Sequence, residues 1–126
     1  MTHFDVLTNI KEKLSSIENI KSLKIGLENG IGSKDCPFIR IISESNTQDL
    51  GRDTLMFSVV YGFDVKNRDL ESMYEKMYDL ERTIRETLEY NTDIGDCFFI
   101  STQTDEDRLN NLKSAVSRFK IENIRF

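Results

Sequence analysis

Leu55, Phe57, Val59, Tyr61, Phe63 and Val65 occupy alternate positions in one uninterrupted run. A period of two places all of these side chains on one face of an extended strand. The rest of the chain must therefore supply a layer to cover that face. The intervening residues, Met56, Ser58, Val60, Gly62 and Asp64, are mixed rather than fully polar. The second face is thus expected to be partly covered too, with another subunit as one source of that cover.

A covering layer follows directly. Leu70, Met73, Met77, Leu80, Ile84 and Leu88 form an apolar stripe at helical spacing, with Tyr74 beside it. Asp69 is placed to cap the helix. Glu81–Arg85 and Arg82–Glu86 stand four apart as exposed pairs, each contributing only about 0.2–0.5 kcal/mol. A first helix is expected near the N-terminus. Thr2 caps it with Asp5 in capping-box position, and Leu7, Ile10, Leu14 and Ile17 share one face.

Around Asn19 the period changes to two, with Leu23, Ile25 and Leu27 pointing one way. Asn29-Gly30 signals a tight turn, and Gly32 to Asp35 extends it into a loop. Phe38 to Ile42 is nearly all apolar, as expected of a strand covered on both faces or paired centrally. Ser43 to Arg52 reads as a polar loop. Gly95-Asp96 closes the next connection, and Cys97-Phe98-Phe99-Ile100 opens another strand. A last strand runs from Ala115 to Phe126, with Phe119 and Ile121 in one phase and Ile124 and Phe126 in the other. A bulge near Asn123 would reconcile the two. The reading is one α+β domain spanning 1–126, of order α-β-β-β-α-β-β. It has an antiparallel or mixed sheet of four to five strands, with two helices packed on one face.

Length and composition suit this picture. A chain of 126 residues removes roughly two-thirds of its unfolded surface from water. Its eight Phe residues supply much of the core, each contributing about 1.5–3 kcal/mol when buried. No apolar run approaches the roughly 20 residues needed to cross a bilayer, so no membrane partner is expected. Met1-Thr2-His3-Phe4-Asp5 lacks a basic segment followed by an apolar one, so a secretory signal is not expected and a cytosolic location is. The net charge of −5 argues against specific nucleic-acid binding, which needs a basic surface to displace phosphate counterions. The chain is acidic from Leu70 to Asn111 and basic from Leu112 to Phe126. Such runs usually form solvated faces. The sharper reading is that the two faces meet head to tail between copies, with Arg118 and Lys120 on the basic side.

No constellation for chemistry emerges. His3 is the only histidine, and no partner at useful spacing would make it a base or a ligand. Cys36 and Cys97 are too few for a zinc signature; they are expected as reduced, partly buried thiols, and could be neighbours at strand starts. Gly30-Ile31-Gly32-Ser33-Lys34 lacks both the third glycine of a dinucleotide fingerprint and the Walker spacing. Asp105-Glu106-Asp107 fails the calcium-loop pattern, since Asn110 stands at the turn glycine and Val116 at the terminal glutamate. It reads as a solvated loop, or as a short helical turn running through Leu109 and Leu112. No Gly-x-Ser-x-Gly elbow occurs. No enzymatic activity, cofactor or metal is expected.

One set of residues carries a family resemblance. Cys36-Pro37-Phe38-Ile39-Arg40-Ile41-Ile42, Gln48-Asp49-Leu50-Gly51-Arg52 and Phe57-Ser58-Val59-Val60-Tyr61-Gly62-Phe63-Asp64, followed by Met73-Tyr74-Glu75-Lys76-Met77-Tyr78, resemble the tail terminator family of tailed phages and prophage elements. The resemblance follows the element order of nearly the whole chain and is residue-specific from about Cys36 to Leu88. It implies a small α+β subunit that assembles with itself into a ring, typically a hexamer. Such a ring caps the tail tube protein, ends its polymerisation, and offers a surface to the head connector or neck and, in contractile systems, to the tail sheath. It also implies assembly in the host cytoplasm, then a place in the particle at the tail end nearest the head. Gln48, Asp49 and Arg52 match the family's loop and are the candidates for contacts between subunits or with the tube end. The negative charge suits a lumen through which DNA slides without sticking. A neck or tail-completion adaptor, or a non-viral soluble protein-binding module, fits the same elements.

Overall fold

The computed structural model describes residues 2–65, 69–89, 95–105 and 112–124. The element order is α1 (His3–Leu14), β1 (Ser22–Ile25), β2 (Phe38–Asp49), β3 (Arg52–Asp64), α2 (Leu70–Leu88), β4 (Asp96–Thr104) and β5 (Leu112–Glu122). The five strands form one mixed sheet in the spatial order β1-β2-β3-β5-β4. Only the β1–β2 pairing is parallel.

Both helices start as their caps dictate. The Thr2 hydroxyl accepts from the Asp5 N–H, and the Asp5 carboxylate accepts from the Thr2 N–H at 2.6 Å. The Asp69 carboxylate accepts from the Ser72 N–H at 2.7 Å. The alternation in β3 becomes the floor of the core. Leu55, Phe57, Val59 and Tyr61 are fully buried, facing Val6, Ile10 and Leu14 of α1 and Met77, Ile84 and Leu88 of α2 within one apolar cluster. Phe57 stacks on Phe119 with centroids 5.5 Å apart, and Phe99 meets Phe119 edge-on. Three hydroxyls cross this face: Tyr61 Oη lies 2.8 Å from Ser117 Oγ, which lies 2.7 Å from Thr102 Oγ1. Each satisfies its neighbour.

Several expectations need correction. β1 stops at Ile25 because Gly26 turns the chain with φ of +93°, leaving Leu27 exposed. Leu70 opens α2 but is also exposed, and the buried stripe starts at Met73. Arg82 pairs with Asp79 and Arg85 with Glu89, so the expected pairs with Glu86 and Glu81 do not form. Leu112 begins β5 rather than closing a helical turn; Glu106, Asp107 and Leu109 lie outside the described residues. β5 ends at Glu122, where Asn123 takes a φ of +54°. That one left-handed residue, rather than a bulge, returns Ile124 to the core; Phe126 lies outside the described residues. The bulges occur instead between Ser43 and Ser45 and between Phe99 and Ser101.

The second face of β3 is covered from within the chain only in part, with Ser58 and Gly62 buried and Met56, Val60 and Asp64 half-exposed. Gly62 pairs with Phe38, and a Cβ at position 62 would sit 2.6 Å from the Phe38 ring, so only glycine admits that ring. Arg40 is wholly buried on this face. Its guanidinium donates to Glu28 at 2.6 and 3.1 Å and to Ser22, and lies over the Phe38 ring. The Arg40 hydrogen bonds hold the Glu28 carboxyl down at about 2. A carboxylate depressed in the folded state stabilises above its unfolded value and loses that contribution as pH falls. The stability difference between the wild type and Glu28→Gln should thus be constant near neutral pH. It should shrink as pH falls from about 4.5 towards 2, measured by urea unfolding. A difference that persists undiminished at the acid end would place the stabilisation elsewhere.

Candidate functional site

Residues 43–52 are the largest departure from the sequence expectation. They form no loop. β2 continues to Asp49 and β3 begins at Arg52, paired in register as Asn46 with Leu55, Thr47 with Thr54, Gln48 with Asp53 and Asp49 with Arg52. Leu50 and Gly51 make the two-residue turn, with φ of +52° and +77°. Positive φ at both positions is the type I′ geometry, whose twist matches that of the flanking strands.

This hairpin leaves the body of the sheet. β1 pairs with β2 only as far as Ile41, and β5 pairs with β3 only from Leu55 onward. Beyond those points no third strand among the described residues pairs with either, and every residue from Ser43 to Arg52 is exposed. The base of the arm is fixed on two sides. Glu44, the extra residue of the bulge, accepts from Arg118 Nε of β5 at 3.1 Å. The Asp53 carbonyl accepts from the Ile124 N–H at 3.3 Å. A bulge sharpens twist and re-aims a strand, and here it sits where the arm departs.

The structure gathers Gln48, Asp49 and Arg52 at the arm's tip. Arg118 and Lys120 are not beside them. Arg118 holds the arm's base through Glu44, and Lys120 pairs with Glu122 at 2.7 Å. Both bases thus already have acidic partners within the chain. Leu50, which sequence reading passed over, is the tip's outermost apolar group at 93% exposure. The signal for it was available: an apolar residue followed by glycine inside a polar run.

A groove of about 940 Å³ lies at the other end of the sheet, where β2 begins and β3 ends. The segment after α1, the stretch before β2 and one flank of α2 line it. Ile17, Ile20, Pro37, Phe63 and Leu80 give it an apolar lining. Glu18, Asp64, Lys76 and Asp79 add charge, and Cys36 opens onto it. Burial pushes the Cys36 thiol up, and pushes the Cys97 thiol up to about 12. Both cysteines are free, and they are not neighbours: Cys36 precedes β2 at the groove end, while Cys97 pairs with Ile121 at the arm end of the far edge strand. Among the described residues, no group of three or more His, Cys, Asp or Glu side chains is placed to hold a metal ion. Asp105, from the acidic cluster, is engaged by Lys113 and Ser114. Among the described residues no helix is long and apolar enough to cross a membrane.

Comparison with protein-family models and with curated proteins gives no match.

Proposed function

We propose that this chain is a structural assembly subunit that closes into a ring of about six copies through heterologous contacts. In this reading the ring caps a phage or phage-like tail tube, ends its growth and presents a surface to the head connector. The observation that carries the proposal is the arm. Ten residues, 43–52, stand exposed outside the core, yet are held in register and braced at their base. Such an arm adds no core burial, and backbone order costs about 1–2 kcal/mol per residue, so its use must come from what it touches.

Two further features support the same reading. β1 and β4 are the edges of the sheet, and β4 presents Phe98 and Ile100 at 39% and 42% exposure. An exposed apolar edge strand is a template for contact with another chain. The net charge of −5 suits a lumen that repels DNA rather than binding it. Gln48, Asp49 and Arg52 are the residues assigned to contacts with the next subunit or the tube end. Arg118 serves as a brace for the arm.

Electron microscopy of the purified chain, alone and mixed with tail tubes, should show closed rings of a single copy number. Protein that stays monomeric in both samples at high concentration and moderate salt would overturn the ring.

A further inference from the structure

We infer that the hairpin tip of one copy inserts Leu50 into the groove at the opposite end of the next copy. The inference rests on the assembly reading and names the contact through which it operates.

Leu50 burdens the isolated chain twice. Its side chain is 93% exposed, and its φ of +52° lies in the left-handed region, which is strained for a residue other than glycine. Asparagine or glycine would fit that turn position without either burden. A strained residue at an exposed tip points to a function outside the chain's own stability. An apolar side chain held there calls for an apolar receptor.

The groove offers an apolar patch set among polar and charged groups. Its volume of about 940 Å³ is at the upper end of the roughly 300–1,000 Å³ typical of sites that bury most of a small ligand. It therefore admits a turn rather than one side chain. Ile17, Pro37 and Phe63 supply apolar surface, while Lys76 can meet Asp49 and Glu18 can meet Arg52.

The chain's own tip cannot fill it. Pro37 lines the groove, and the twelve residues of extended β2 separate it from Leu50, a span of about 40 Å at strand rise. Donor and receptor thus sit at opposite ends of one rigid sheet. A contact between them is heterologous, which closes into a ring or propagates as a filament. Made reciprocally by two antiparallel copies, the same contact would instead stop at a symmetric dimer carrying two links between positions 50 and 36, which a ladder of multimers excludes.

Cys36 in the groove makes the contact testable. Full-length chain carrying Leu50→Cys, treated with diamide, should form a disulfide between position 50 of one copy and Cys36 of another. The product should be a ladder of covalent multimers on a non-reducing gel, with the linkage confirmed by peptide mass spectrometry. Adding Cys36→Ser should abolish the ladder. Cys97 is buried in the core and is not expected to contribute. Only symmetric dimers linked through position 50, or no crosslink at all, would overturn the inference. Leu50→Asn gives an independent readout: the monomer should melt at a higher temperature while self-association weakens at least about tenfold. Unchanged association in that variant would also overturn it. A tip-to-groove crosslink in a protein whose loss leaves tail length normal would refute the tail role and leave this contact standing.

Discussion

Phe57→Ala is expected to cost about 3–5 kcal/mol, a large share of the roughly 5–15 kcal/mol that holds a small domain together. Phe57 is wholly buried and stacks on Phe119, which Phe99 meets edge-on. The three rings come from β3, β5 and β4, so removing the first opens a cavity where adjacent strands meet the helices. Rigid strands on either side cannot close over it, and unclosed cavities give the large end of the cost range. Phe57→Leu should retain much more stability. Urea unfolding compares the three proteins. An alanine variant with wild-type stability would contradict the placement of Phe57 in the core.

The second large effect is expected at Asp105. Lys113 is 1% exposed on the core-facing side of β5. Its ammonium donates to Asp105 Oδ1 at 2.7 Å and lies 4.3 Å from the Tyr74 ring centroid. Asp105 Oδ2 also accepts from the Ser114 N–H and hydroxyl. One carboxylate thus fixes a buried cation and the first residues of β5. Asp105→Asn keeps the shape but removes the charge, and hydrogen bonds to charged groups contribute about 1.5–3 kcal/mol. The loss should be of that size. Lys113→Met in the same chain should recover part of it, because an apolar pair in such a site is often no less stable than the ion pair. Strictly additive losses in the double-mutant cycle would contradict direct coupling of the two side chains.

Much of the fold was legible because apolar periodicity carries it. The alternation from Leu55 to Phe63 and the stripe from Met73 to Leu88 both appear in the core. Thr2 and Asp69 cap as their side-chain chemistry requires. The arm was not legible for the same physical reason. Ser43 to Asp49 has no apolar partner to face, so no hydrophobic period marks it, and its Ser, Asn and Asp content reads as turn. Only pairing with the start of β3 makes it a strand, and Leu50-Gly51 is not the Asn-Gly signal that announces such a turn.

The buried charges were hidden differently. Arg40 sits between Ile39 and Ile41, in phase with Phe38 and Ile42. That phase assigns it to the second face, but nothing local reveals that Glu28 folds over to meet it. Gln48, Asp49 and Arg52 lie at the arm's tip. Leu50, between them, needed the backbone angles and the exposure to stand out.

We propose above all that this chain ends the growth of a tail. Tailed particles assembled in cells from which the chain has been deleted should carry tails of uncontrolled length, seen by negative-stain electron microscopy and reversed when the chain is restored. Tails of normal, uniform length without it would contradict the account.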